Sequence, residues 1–254
     1  MNNYKDYKDF DYWYSWAIFY LNSNFGNLLP GISHNLQNMV HSYTMQLELW
    51  DKKLEANKLQ DSSEIAKAVK RFHSTTQELS SFCDQLEQRV FYQQNHTTAV
   101  YLHDFIKWQQ DYWINNLFFK HYITISTTVE EDTPTVLEIP PIILTLTFEE
   151  VLKNAIEACY AINSKGHFNI KIQLSPYEQG IEMTITSPTR LDNSLDPWLT
   201  GSSSKNHSFG MGLPLVAYFS EFVGWSCELK ESDGLTHFNL KIPALKYEVG
   251  LPGV

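Results

Sequence analysis

The sequence predicts an α+β chain, an N-terminal helical hairpin followed by an α/β sandwich, and three observations predict it. Two long stretches before residue 97 carry apolar residues at alternating steps of 4 and 3, the pattern of helices that pair along a seam. After residue 120 the period changes to 2, in runs rich in β-branched residues. Between those runs lies one apolar helix, Thr147 to Tyr160, in which Phe148, Val151, Leu152, Ala155, Ile156 and Cys159 form a single stripe.

Residues 1–29 form an aromatic N-terminal segment, read as helical from Trp13 to Leu21 and apolar around most of its surface. Such a segment must be covered, either by the helices that follow or by another protein docking on it. Pro30-Gly31 reads as a break. Residues 30–97 then form the hairpin. Leu36, Val40, Tyr43, Leu47, Trp50 and Leu54 mark the first seam. Ile65, Val69, Phe72, Thr76, Leu79, Cys83, Leu86 and Val90 mark the second. The polar loop between them offers Asp61, Ser62 or Ser63 as a helix cap. One hairpin cannot bury both its seam and its flanks, so two copies are expected to pair into a dimeric four-helix bundle. Residues 98–247 form the second domain. It opens on an amphipathic stretch, Val100 to Phe119, and a strand, His121 to Thr128. After the apolar helix come strands at Phe168–Leu174 and Ile181–Thr186, an apolar helix Leu213–Val223, and strands at Trp225–Leu229 and His237–Ile242. Residues 248–254 are a tail.

The composition excludes several functions. A formal charge of −10 over 254 residues argues against a general nucleic-acid binder, which needs a basic face. Cys83, Cys159 and Cys227 lie far apart without the spacing of a disulfide framework or a zinc site, which fits a reducing cytoplasm. No apolar run reaches the length of a membrane span, and the first residues lack the apolar core of a signal peptide.

Three groups of residues carry chemistry. On the 147–160 helix, Glu150 and Asn154 are four apart and share one face, one turn apart. A carboxylate beside a carboxamide can hold hydrated Mg²⁺ through oxygen ligands, although such a pair is equally the polar flank of an ordinary amphipathic helix. About 50 residues on, Gly201-Ser-Ser-Ser-Lys205 is followed by Gly210-Met-Gly212-Leu213 at the start of an apolar helix. Glycines there let backbone approach phosphate oxygens, and the helix N-terminus favours anions. Near the start of the first hairpin helix, His34 falls on the flank between Ile32 and Leu36, within reach of solvent. A neutral imidazole there can take a phosphoryl group at nitrogen. His41, His73 and His96 read as surface residues.

The order and spacing of Glu150, Asn154, the serine/lysine loop and the Gly210–Leu213 turn resemble the ATP-binding domain shared by sensor histidine kinases, gyrase, Hsp90 and the mitochondrial protein kinases. The hairpin resembles the dimerisation and phosphotransfer domain of histidine kinases. The resemblance covers about residues 30 to 245 and implies roles. His34 would accept the phosphoryl group, with Asn38 at the +4 position. Glu150 would act as base or orient a water, and Asn154, with Glu150, would hold Mg²⁺. Lys205, Gly210, Gly212 and Leu213 would seat the phosphates of ATP. A response-regulator receiver domain would take the phosphoryl group, and an upstream sensor protein would act through the aromatic segment.

The sequence departs from the family in three places. Asn35 stands where an acid usually follows the histidine, and an amide cannot accept the imidazole proton. Ser187-Pro-Thr-Arg190 replaces the first glycine box, so Ser187 stands where an aspartate binds adenine and would bind the base directly or through water with shorter reach, and Asp192 comes five residues too late. The interval to Gly201 is short, which implies an abbreviated lid. Losing one charge-assisted hydrogen bond costs about 1.5–3 kcal/mol, roughly 10- to 100-fold in affinity. Quorum-sensing kinases resemble the chain more closely here, with asparagine at that place and a similar G-x-S-T-K loop. Two readings follow: a histidine kinase core using ATP and Mg²⁺, or an ATP-independent histidine phosphotransferase or scaffold with a degenerate ATPase-like domain.

Overall fold

The computed structural model of the chain describes residues 7–55, 62–178, 180–191, 196–201 and 210–243. Its first element is a single helix, α1 (Tyr7–Glu55), of 49 residues. The break expected at Pro30-Gly31 is absent, because Pro30 lies inside the helix. A proline there removes one backbone hydrogen bond and costs about 3 kcal/mol. The residues flanking it outweigh that cost. Ala17, Leu21, Asn24, Leu28 and Ile32 recur at steps of 4, 3, 4 and 4 and are all buried, so one face of α1 is packed on both sides of the proline. At Gly31 the approach is closest, and a β-carbon would lie 1.7 Å from the Asn115 carbonyl oxygen.

Helix α2 (Ser62–Tyr92) returns beside the C-terminal half of α1. Asp61, one of its expected caps, lies outside the described residues. The expected seam divides between two faces. Tyr43 and Trp50 turn to α2, where both rings meet Phe72 at 5.7 and 6.2 Å, and the Tyr43 and Thr76 hydroxyls are hydrogen-bonded. Leu36, Val40, Leu47 and Leu54 of α1, with Ile65, Val69 and Val90 of α2, point outward and are exposed.

The stretch expected as one amphipathic run from Val100 divides into β1 (Thr98–Tyr101), α3 (Leu102–Trp113) and α4 (Leu117–Tyr122). The Asn116 side chain caps α4 by accepting the Phe119 N–H at 2.9 Å, which stops α3 from running on. Strand β2 (Ile123–Val129) follows, then β3 (Val136–Ile139), which pairs antiparallel with β1 as a small ribbon. Helix α5 (Pro141–Ile162) starts six residues before the expected point, with a proline in its first turn, where the missing N–H is no loss. The remaining elements are β4 (Phe168–Tyr177), β5 (Gly180–Ser187), α6 (Gly212–Phe222), β6 (Ser226–Ser232) and β7 (Leu235–Ile242).

The main sheet has the order β2-β4-β5-β7-β6, parallel between β2 and β4 and antiparallel elsewhere. Asp233 and Gly234 both take positive φ, 54° and 74°, in the two-residue turn between β6 and β7. Strand burial alternates. Ile170, Ile172, Leu174, Ile181, Met183, Ile185, Phe238, Leu240 and Ile242 face the buried side, and the opposite face carries polar pairs such as Thr184–Asn239. The fold is thus a helical hairpin followed by an α/β sandwich with a mixed sheet. Among the described residues no helix is long and apolar enough to cross a membrane.

Candidate active site

Glu150 and Asn154 lie on α5 as their spacing predicts, one turn apart, and Asn154 Nδ2 donates to Glu150 Oε1 at 2.6 Å. Glu150 is 5% exposed. It meets the first residue of α6, since a β-carbon on Gly212 would lie 2.1–2.3 Å from all three atoms of its carboxylate. A side chain at 212 would displace the Glu150 carboxylate from this place, so the two motifs, about 60 residues apart in sequence, are in contact. A carboxylate beside a helix N-terminus is favoured by the helix dipole. Gly210 takes φ 58° and Gly201 takes φ 84°, and the Gly201 N–H donates to the Gly210 carbonyl at 3.1 Å. That bond draws together the two ends of the serine/lysine loop. Lys205 lies within the loop and outside the described residues, as does Asp192. Leu213, next in α6, is half-buried against the core.

Ser187 ends β5 on the buried side of the sheet. Its hydroxyl is hydrogen-bonded to the Thr189 hydroxyl at 2.8 Å, and Thr189 and Thr236 bond to each other in turn. All three are buried. The hydroxyl expected to face adenine is therefore held in a small threonine cluster.

The N-terminal half of α1 supplies residues the sequence did not single out. The Tyr20 hydroxyl donates to Glu150 Oε2. Lys153 Nζ donates to the Tyr20 oxygen at 3.0 Å and to Asn24 Oδ1 at 3.1 Å, and lies 4.8 Å from the centre of the Tyr20 ring. Burial, and behind it the charge of Glu150, push the Tyr20 phenol well above its ordinary value, so it acts as donor to the carboxylate. The Trp13 ring packs on Tyr218 of α6 at 5.1 Å. Next to Glu150 in the chain, Glu149 is fully buried and paired with Arg89 of α2 at 2.6 Å. The spacing of Ala17, Leu21, Asn24 and Leu28 marks a face of α1 that packs, but it does not say on what.

His34 stands on an exposed flank of α1, as expected. Its Nδ1 lies 3.2 Å from Asn38 Nδ2. A carboxamide turned by half a revolution presents its oxygen instead, accepts a hydrogen bond from Nδ1–H and leaves the Nε2 lone pair outward. Asn35 points away from the imidazole into a groove, where its amide donates to Asn115 Oδ1 at 2.9 Å and its oxygen accepts from Lys120 at 3.1 Å. His34 is not brought to Glu150. It lies 14 residues from Tyr20 on the same helix, about 21 Å at 1.5 Å per residue.

Among the described residues no cluster of three or more His, Cys, Asp or Glu side chains could hold a metal. The donor set at α5 still fits Mg²⁺ in one form. Asn154 and Glu150 are oxygen donors on one face, and Mg²⁺ ordinarily takes one or two protein ligands with phosphate and water completing the shell.

No protein-family model and no curated protein matches the chain. Solved structures similar to it include the catalytic domain of the histidine kinase ThkA, at TM-score 0.48 and 16% identity over 59% of this chain and 96% of that one. The Acinetobacter baumannii histidine kinase AdeS is similar at TM-score 0.42 and 11% identity, over 83% of this chain and 98% of that one. A bacterial phosphotransferase is similar at TM-score 0.43 and 12% identity, over 86% and 96%. The structures similar to this fold thus include histidine kinase catalytic domains.

Proposed function

We propose that the chain is a two-component histidine kinase core that phosphorylates its own His34 and passes the phosphoryl group to an aspartate of a response-regulator receiver domain. The observation that carries this reading is that Glu150 is bonded to Asn154 and lies against Gly212. The two motifs on which the family resemblance rests thus meet, through Glu150, at the N-terminus of α6. ATP with Mg²⁺, when bound, supplies the γ-phosphoryl group. Asn154 holds the metal with Glu150 beside it, and the α6 N-terminus, with Gly210 and Gly212, receives phosphate. Asn38, with its carboxamide turned, accepts a hydrogen bond from the Nδ1–H of His34 and leaves Nε2 as the nucleophile. It takes no proton, and with Asn35 in the place of the usual acid no carboxylate beside His34 does, which predicts slow autophosphorylation. An upstream sensor protein acting through the aromatic segment and a homodimer built on the outward seam complete the proposal.

A second reading is favoured by the burial of Ser187 in its threonine cluster and by Tyr20 on Glu150: an ATP-independent phosphotransferase whose His34 is loaded by a partner. Calorimetric titration with ATP–Mg²⁺ separates the two. The kinase reading expects binding in the micromolar to millimolar range, weakened at least 10-fold by Asn154→Ala, and labelled phosphate on wild type but not on His34→Ala. No binding up to several millimolar nucleotide, by wild type and by a variant without the Tyr20 hydroxyl on Glu150, sinks the kinase reading and leaves the phosphotransferase.

A further inference from the structure

The N-terminal half of α1 lies where the nucleotide chemistry has been placed. The Tyr20 hydroxyl is bonded to the carboxylate of Glu150, and that carboxylate fills the anion-favouring position at the start of α6. Lys153, adjacent to Asn154, is drawn to Tyr20 and Asn24. Trp13 covers Tyr218 on the outer side of α6, so α1 touches both helices of the site through different residues. Ala17 and Leu21, between these contacts, are buried. This is a packed interface with a polar centre, and the same helix carries His34 about 21 Å away.

We propose that residues 13–24 of α1 are a built-in competitor of nucleotide, with Tyr20 latched to Glu150 as the inhibitory contact. The inference rests on the nucleotide reading given above. It adds that the conformation described is the closed, inactive one. Two consequences follow from the geometry. Tyr20 on Oε2 and Asn154 on Oε1 occupy both oxygens of Glu150, so Mg²⁺ competes with the Tyr20 hydroxyl for this carboxylate. With the latch closed, the site also sits about four turns of α1 from the histidine, whereas phosphoryl transfer needs the reacting atoms within about 3–3.5 Å. Opening the latch therefore both uncovers the site and frees the second domain to move along the rod toward a histidine, its own or that of a second copy. The free energy of the latch subtracts from nucleotide affinity, as for any ligand whose competent state is only partly populated.

The test is calorimetric titration of ATP–Mg²⁺ into the full chain as wild type, Tyr20→Phe and Trp13→Ala, with hydrogen exchange of residues 13–24 read alongside. Tyr20→Phe keeps the ring and removes only the hydroxyl that meets Glu150. Trp13→Ala weakens the interface away from Glu150 and serves if the first variant does not fold. Tyr20→Phe is expected to bind nucleotide about 10-fold or more tighter than wild type, the effect of removing one hydrogen bond to a charged group, and Trp13→Ala to bind tighter through the loss of its ring contact with Tyr218. Saturating nucleotide is expected to speed exchange of the α1 amides in wild type. Equal affinity in all three proteins overturns the latch and leaves the nucleotide reading standing. No binding by any of the three, the unlatched variants included, overturns the nucleotide reading itself, and the latch falls with it.

Discussion

Arg89 leaves α2 to meet the Glu149 carboxylate of α5 at 2.6 Å and the Leu21 carbonyl of α1 at 2.6 Å, its guanidinium 4.7 Å from the centre of the Tyr112 ring and 5.3 Å from that of Phe25. A planar fork with five donors in fixed directions ties a carboxylate through one terminal nitrogen and a main-chain carbonyl through the other, while its face lies near the Tyr112 and Phe25 rings. The attraction of the pair is set against the cost of taking two charges out of water, so the pair itself contributes little net stability. Removing one partner is another matter. Arg89→Met is expected to destabilise the fold by about 3–5 kcal/mol in denaturant unfolding, because it leaves the buried Glu149 carboxyl without its counter-charge. The double variant Arg89→Met with Glu149→Met should recover most of that loss. A double variant as unstable as the single one would mean that the contacts to Leu21 and the rings, not the charge, fix this junction.

Helix α1 shows where the sequence was misleading and why. Proline and glycine side by side read as a break, because each weakens a helix locally. The local penalty is about 3 kcal/mol for proline, and it is overcome by the burial of Leu28 and Ile32, which the local sequence does not reveal. The two residues then have opposite significance. Pro30 is exposed and contributes nothing to the interface, so Pro30→Ala should stabilise the protein by about 1–3 kcal/mol. Gly31 lies against the Asn115 carbonyl, and Gly31→Ala should cost about 1–3 kcal/mol despite alanine's better helix propensity. Thermal unfolding of the two variants reads the signs, and equal shifts in the same direction would contradict this account. What was legible followed from periodicity: α2, β4, β5, β7, the Glu150 face of α5 and the start of α6. The docking of α1 on α5 and α6 was not, since Tyr20 and Asn24 bond to residues about 130 positions away, and nothing in their neighbours' spacing announces such a pairing. The place of Ser187 was legible from β5, while its hydrogen bonds to Thr189 depend on how the chain turns after the strand.

At the scale of the molecule, α1 has two apolar faces and only one of them is covered. The buried face runs from Ala17 to Ile32. The outward one carries Leu36, Val40, Leu47 and Leu54, with Val40, Leu47 and Leu54 each more than half exposed at 55%, 54% and 55%. Ile65 and Val69 on α2 extend that surface to the neighbouring helix. An apolar strip of this length at heptad spacing, on a chain that carries a formal charge of −10, fits pairing through the strip, with the charge left on the remaining surface. A second hairpin would cover it and complete four helices. The chain is therefore expected to run at twice its monomer mass in light scattering at micromolar concentration. Val40→Glu with Leu47→Glu, placing like charges in the seam, should shift it to monomer without loss of helix content by circular dichroism. The same variant separates assembly from the latch. Residues 13–24 close on the second domain of their own chain, so nucleotide affinity should not change when the dimer is broken, whereas transfer to a histidine on a second copy would be lost. A monomeric wild type would leave the strip to another partner and would confine any phosphorylation of His34 to a single chain.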